Sequence, residues 1–427
     1  MAHRRASGAD DARADIACGD AAHAEAKARA EADRLVRDKA FALGFDVVGV
    51  ARADEPLDAA HDRYRDFIAR GMHGEMSYLA EHAEARRRID TAEILPGARS
   101  VVCVGRRYGR PAEHERNDPP LARGVARYAR GQDYHGFLRK RLRSLASFIR
   151  ALAPGAQARA FCDTEPVMER AWAARAGIGF VGKHGLVITP GQGSYQILGE
   201  VITTLELTPD APMAERCGSC TLCLDACPTS AFVAPFVLDP RRCIAYLTIE
   251  QRAAPPPELR EAIGEHLFGC DDCQSVCPYN RAAAPKPERT APFHPHARWG
   301  EIDLEDLVRL GEDRFAELTI GTPLRRPGRG GLARNAVVVA ENRLRRDPFD
   351  AVSRRAVAAA RAHDDPMVRG LVATAGPEGS PERDVGRAPD TDVDADVDAD
   401  VDADVDADAE RDAGLDPEAD AEAHEGS

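Results

Sequence analysis

Eight of the eleven cysteines fall into two groups. Cys217, Cys220, Cys223 and Cys227 are spaced by two, two and three residues, and Pro228 follows. Cys243, Cys270, Cys273 and Cys277 form the second group, closed by Pro278, with Cys243 standing 27 residues ahead of its next partner. A loop with the first spacing wraps three thiolates around one cubane cluster and sends the fourth to another. Sulfur suits this work because it is soft and spreads charge onto iron. Crossed ligation then gives one 4Fe–4S cluster Cys217, Cys220, Cys223 and Cys277. The other takes Cys227, Cys243, Cys270 and Cys273. Two four-thiolate zinc sites are the alternative, but zinc ribbons use paired C-x-x-C, not a triple run ending in Cys-Pro. The chemistry is one-electron transfer.

The insertion "IAYLTIEQRAAPPPELREAIGEHLFG" fills the gap after Cys243 and is expected to cover a cluster or face a second cofactor. Ahead of the cysteines lie some 200 residues of other chain, so the clusters are expected to feed a reaction centre. No G-x-G-x-x-G follows a strand, which leaves a Rossmann dinucleotide site unsupported. "DYHGFL" nearly matches the D-x-H-x-x-G pattern that puts a histidine on cobalt; Leu138 stands in the glycine's place, and His135 is read as structural. In "FCDTEPVMERAWAARAG", Asp163 ends an expected strand where a helix begins. It is either an N-cap or an acid positioned for proton transfer. Cys103 and Cys162 read as packing residues; Cys18 lies in a polar head.

The elements that must hold these residues follow from periodicity. "DVVGVA", "RSVVCVG", "QARAFCDT", "GLVITP" and "YQILGEVITTLEL" read as strands. "EADRLVRDKAFALGF", "DYHGFLRKRLRSLASFIRAL" and "EPVMERAWAARAG" read as helices. Residues 1–30 are expected to be a disordered head. An α/β (α+β) catalytic domain is assigned to 31–210, a ferredoxin-type two-cluster domain to 211–290, and a helical HEAT-like segment to 291–376. The net charge of −14 comes from the end of the chain. From Glu378 onward there are 20 acidic and 3 basic side chains, which leaves the rest at +3. Residues 377–427, with the repeat "DVDADVDADVDADVDAD", are expected to be an acidic disordered tail. A near-neutral body leaves an anionic partner such as RNA open. No apolar run approaches a membrane span. The "HRR" near the start lacks the apolar stretch of an export signal, so a cytoplasmic protein is expected.

The stretches "HGEMSYL", "LPGARSVV", "VARYARGQDYHGFLRKRL", "CDTEPVMERAWAARAGIGFVGKHGL", "LGEVITTLEL", the eight cysteines, "CIAYLTIE" and "GTPLRRPGRGGLARN" together resemble the epoxyqueuosine reductases, over about residues 31–375. The resemblance implies reduction of epoxyqueuosine to queuosine at the tRNA wobble position, with cobalamin fed by two 4Fe–4S clusters. It implies that Asp163 is the proton donor, a role that works best if burial raises its pKa. Corrin contacts are implied at Arg88, Ala126, Asp163, Val187, Leu198 and Ala245. It implies tRNA contacts at Arg325, Arg326, Arg329 and Arg334, a low-potential electron donor, and a monomer. The other readings are a reductive dehalogenase and a plain ferredoxin-like carrier.

Overall fold

Residues 99–107 read "RSVVCVGRR", with an unbroken apolar run at 101–105. Such a run belongs to a strand buried on both faces. In the computed structural model, which describes residues 7–109, 115–281 and 290–373 (for 7–22 the backbone alone), this segment is the second strand of a four-stranded sheet. The strands are β1 (Val47–Arg52), β2 (Ser100–Arg107), β3 (Ala158–Phe161) and, after two short strands β4 (Phe180–Val181) and β5 (Val187–Ile188), β6 (Gln196–Thr203). Their order is β1-β2-β6-β3, with every pair antiparallel. The fold is therefore the α+β form of the expected class.

Alternation sends side chains to both faces. Val50, Val102, Val104 and Val201 share one apolar cluster with Leu138, Leu142, Leu145 and Ile149. Those four recur at helical spacing along α2 (Tyr134–Leu152), which follows the long N-terminal helix α1 (Ser7–Ala42) in the chain. Val101, Cys103, Ile202 and Phe161 pack instead with Trp172 and Ala173 of α3 (Glu169–Arg175). Cys103 and Cys162 are both buried, as expected of packing residues.

Helix α1 corrects the expected disordered head, because residues 7–30 are helical. The reason lies in the alanines and long charged side chains, which favour a helix even without an apolar face. Cys18 sits within α1, but its side chain lies outside what is described, as do residues 1–6 and the expected tail from 374 onward. All described residues fall within one unit, Met1–Ala375. The boundaries expected at 210 and 290 are not breaks. One core joins Leu121 and Val125 to Ile244, Phe268, Trp299 and Val337.

Each cysteine run ends in a single helical turn, Leu222–Asp225 and Asp272–Ser275, and the two turns pack together. The insertion folds as two short helices, Ile244–Ile249 and Pro257–Ile263. Five helices from Leu304 to Ala373 complete the C-terminal part; the longest is Gly328–Arg346.

Arg334 departs from its expected role. Its side chain is fully buried in the Gly328–Arg346 helix. It donates to Leu247 O (2.9 Å), Ala253 O (2.9 Å) and Gln251 O. Those carbonyls close the insertion's first helix, and a cation there complements the helix C-terminus. Burial, with the charge of Arg252 adding to it, pulls the guanidinium down to about 10, which still leaves it charged at neutral pH. Asn335 adds bonds to Thr248 O and Leu267 O, both 2.8 Å. The pair therefore pins the insertion, and Arg334 has no exposed surface on which to meet RNA. Replacing Arg334 by Leu leaves these carbonyls without their donor, and each buried acceptor left unsatisfied costs roughly 1–3 kcal/mol. The thermal midpoint of the cluster-loaded protein should drop clearly. An unchanged midpoint with weakened RNA binding would return Arg334 to the RNA surface.

Candidate active site

Strand β3 stops at Phe161, and two residues later Asp163 takes φ of 65°. Left-handed backbone is uncommon outside glycine, though aspartate tolerates it better than most. This bend carries the carboxylate away from α3, which starts only at Glu169 without any side-chain cap. The N-cap reading of Asp163 is thereby removed. Its N–H donates to Glu169 Oε1 at 2.6 Å, so the next helix holds the bend from behind.

Two residues that begin α2 face Asp163. Tyr134 donates its hydroxyl to Asp163 Oδ2 at 2.6 Å, and His135 Nε2 stands 3.4 Å from the same oxygen. His135 Nδ1 meets Asp133 Oδ1 at 2.8 Å, while Asp133 caps α2 by accepting from His135 N. The ring thus lies between two carboxylates, an arrangement that favours imidazolium with both nitrogens donating. Burial opposes that charge, but the bonds to Asp133 and Asp163 outweigh it and lift His135 to about 9. Asp163 moves the other way. Its hydrogen bond with His135 holds the carboxyl below its ordinary value against burial, and Tyr134 adds to this. The expectation of an acid raised by burial is corrected: the stored proton sits on His135. His135 therefore faces the site as a charged partner of Asp163.

The raised carboxyls lie one layer back. Burial first, and then the charge of Asp163, push Glu169 up to about 8. Glu200 in β6 is wholly buried and raised well above its ordinary value, by burial and then by Glu169.

In front of Asp163 is a cavity of about 390 Å3. Its walls include Tyr128, Tyr134, Val187, Ile197, Leu198, Ile244 and Ala245. Cys227, Cys243, Cys270 and Cys273 line it too, whereas Cys217, Cys220, Cys223 and Cys277 do not. Electrostatic reach groups the cysteines along similar lines, although Cys273 feels Cys223 of the other set as well as Cys243 and Cys227. The Cys223 thiol is raised by burial and then by Cys277 and Cys220, and Cys277 shares an apolar cluster with Cys217. Cys273 is raised by burial and then chiefly by Cys243. Cys243 is raised by burial with Cys227 adding to it, and Cys270 by burial with Cys273 and Cys243 among the further causes. Such thiols need bound iron to stay deprotonated. Backbone N–H groups of Ala231 and Asp272 already point at Cys227 Sγ (3.3 Å) and Cys270 Sγ (3.5 Å). Lys183 fixes the first loop through Gly218 O (2.6 Å) and Cys220 O (2.9 Å).

Of the other expected contacts, Val187, Leu198 and Ala245 line the cavity with Asp163. Arg88 and Ala126 are not among its walls. Arg88 reaches Asp90 (3.7 Å), and Ala126 is buried with its N–H on Phe268 O (2.8 Å). Arg325 is exposed. Arg326 pairs with Glu250 (3.0 Å), lies 5.7 Å over the exposed ring of Tyr78, and is within electrostatic reach of Asp163. Arg329 is mostly covered and held by Glu312 and Asp364, both at 2.6 Å. Tyr78, Tyr134, Glu169 and His184 were missed at the sequence level. Only Tyr134 and His135 carried a signal, through the near-match around "DYH".

A carboxylate–imidazolium pair opening on a cavity walled by ferredoxin-spaced cysteines is the layout of an iron–sulfur reductase. The family model for a 4Fe-4S double cluster binding domain matches residues 216–280. That for "Epoxyqueuosine reductase QueG, DUF1730" matches residues 88–164. The epoxyqueuosine reductase of Gloeobacter violaceus is 44% identical over 311 residues, covering 70% of this chain and 93% of the relative. That of Escherichia coli is 37% identical over 302 residues, covering 70% and 78%. Two solved structures align over 80% of this chain and 88% of theirs. One is an epoxyqueuosine reductase with a tRNA-Tyr epoxyqueuosine-modified stem loop (TM-score 0.70, 31% identity). The other, from Bacillus subtilis, has its catalytic aspartate loop swung out of the active site (TM-score 0.69, 30% identity). The chain belongs to the epoxyqueuosine reductase family, a family of oxidoreductases.

Glu169 is the latch on the Asp163 bend, and its Oε1 acceptor survives in glutamine. Glu169→Ala should release the bend and lower turnover about tenfold, the worth of one hydrogen bond near 1.4 kcal/mol, with iron content unchanged. Glu169→Gln should keep most of the rate. Equal rates for Glu169→Ala and wild type in a single-turnover assay would remove the latch.

Proposed function

We propose that this chain reduces epoxyqueuosine to queuosine at the wobble position of tRNA. The observation that carries the reading is the convergence of Asp163 and the four cavity-lining cysteines on one space. In the reaction both C–O bonds of the epoxide break, a C=C bond forms, and the oxygen leaves as water. Two electrons and two protons are consumed.

The cysteines take the crossed sets read from their spacing. Cys217, Cys220, Cys223 and Cys277 hold the outer cluster; Cys227, Cys243, Cys270 and Cys273 hold the inner one against the cavity. Cobalamin fits the space beyond the inner cluster. Apolar walls from Val187, Ile197, Leu198, Ile244 and Ala245 suit a corrin face, and Tyr128 and Tyr134 exclude water from it. When bound, it supplies a low-potential cobalt centre that gathers single electrons for delivery to carbon. Leu138 at the missing glycine position agrees with binding that does not use His135 on cobalt.

His135 stores the proton and Asp163 places it at the epoxide oxygen as charge develops there. Tyr134 fixes the carboxylate's direction. Arg326 and Tyr78, both within electrostatic reach of Asp163, and the exposed Arg325 next to Arg326 offer a cationic and aromatic edge for the anticodon loop, whose target base must leave its stack to reach Asp163. Arg329 acts through the same surface only if its two acidic partners let go. A low-potential donor feeds the outer cluster. Among the described residues no helix is long and apolar enough to cross a membrane. A cytoplasmic monomer remains the expectation.

Three measurements test this. Reconstituted protein should carry about eight irons, and Cys277→Ala should abolish the cluster of Cys217, Cys220 and Cys223. Loss of the Cys270 and Cys273 cluster instead would overturn the crossing. Asp163→Asn should lower single-turnover queuosine formation by roughly 10²- to 10⁴-fold with both clusters retained; a near wild-type rate would end the proton-placing role. The pH profile follows from His135. Its folded pKa, about 9, is above the ordinary 6.5, so imidazolium and its stabilising bonds are full below about 6.5 and lost as pH rises through about 9. Turnover should therefore hold through neutral pH and fall near 9, a step absent in His135→Gln. The same fall in that variant would assign it elsewhere.

A further inference from the structure

The turn between β4 and β5 carries a polar group that the mechanism above does not use. Gly182 N donates to Leu186 O at 2.9 Å, and Gly185 N to Gly182 O at 2.8 Å, with Gly185 at φ of 81°. Lys183 ties the turn to the cysteine loop. Within this rigid corner His184 is only 4% exposed, and it lines the same cavity as Asp163, Val187 and Leu198.

Its tautomer is set by its surroundings. Leu186 N–H donates to His184 Nδ1 at 3.2 Å, so Nδ1 is the acceptor and the proton resides on Nε2. That Nε2 is buried and has no hydrogen-bond partner among the described residues. Burial lowers the ring to about 4, which keeps it neutral at physiological pH. An unpaired buried N–H costs about 1–3 kcal/mol, so the site is built for an acceptor that arrives with a ligand.

We propose that His184 Nε2–H is a neutral hydrogen-bond donor to a carbonyl oxygen on the rim of the cavity's cofactor. This rests on the placement of cobalamin in the cavity under the proposed function. Corrin carries amide side chains around its edge, and their carbonyls are neutral acceptors of the right kind. An anionic acceptor such as phosphate would draw a second proton onto the ring and break the contact from Leu186 N–H. His184 is thus a binding residue and takes no part in proton transfer to substrate.

The test is an anaerobic spectrophotometric titration of cluster-loaded protein with cob(II)alamin, without RNA. His184→Phe keeps the ring's bulk and removes the donor; His184→Gln keeps an N–H at the reach of Nε2. His184→Phe should bind about tenfold more weakly, as one lost hydrogen bond implies, and His184→Gln should recover most of that. Iron content and the circular dichroism spectrum should match wild type in both. Wild-type affinity in His184→Phe would overturn the assignment, as would equal weakening in both variants, which would give His184 a role in the turn alone. If wild type itself binds no cobalamin, the proposed function fails and this assignment falls with it; cobalamin bound by wild type with the variant pattern missing overturns this assignment alone.

Discussion

The whole chain is organised by one constraint. Under the proposed crossed ligation each cluster takes its fourth thiolate from the other cysteine run, so two distant segments have to meet before either site exists. The helical turns Leu222–Asp225 and Asp272–Ser275 pack together to satisfy it. Everything between and around them serves that meeting. Lys183 holds the first loop by its carbonyls. The insertion between Cys243 and Cys270 is pinned by Arg334 and Asn335 from the C-terminal helices. This explains why the C-terminal helices share a core with the cluster lobe and do not stand as a separate segment.

The same crossing decides which cluster faces the reaction space. The cavity is walled on one side by Cys227, Cys243, Cys270 and Cys273 and on the other by the open end of the sheet. Where the sheet ends, the left-handed bend at Asp163 and the start of α2 bring a carboxylate, a tyrosine and a histidine to one point. Redox and proton chemistry come from different layers of the fold and converge only there. Charge is divided with care. His135 keeps the proton, Asp163 keeps the negative charge, and Glu169 and Glu200 behind them are pushed towards neutrality by burial.

Much of this was legible in the sequence. The strands and helices around the site follow from apolar periodicity, and the cysteine spacing groups Cys227, Cys243, Cys270 and Cys273, which line one cavity together, because short-range spacing directly encodes loop geometry. What failed were features set by tertiary neighbours. A buried arginine such as Arg334 has the same letters around it as the exposed Arg325, and only packing tells them apart. Burial by itself would raise Asp163, but His135, from a segment 28 residues away, holds it below its ordinary value. The helical state of residues 7–30 was hidden by their lack of an apolar face, although their alanines favour it. His184 gave no signal, since its orphaned nitrogen exists only once the turn and cavity have formed.

The central claim is that clusters, cobalamin and the Asp163–His135 pair make one reductive site for epoxyqueuosine in tRNA. Its most direct test is an anaerobic single-turnover experiment with cluster-loaded, fully reduced protein and tRNA carrying epoxyqueuosine, at several limiting levels of bound cobalamin. Queuosine released by nuclease digestion should rise in proportion to bound cobalamin and vanish without it. Queuosine formed at the full rate without cobalamin, or none formed with it, would contradict the account.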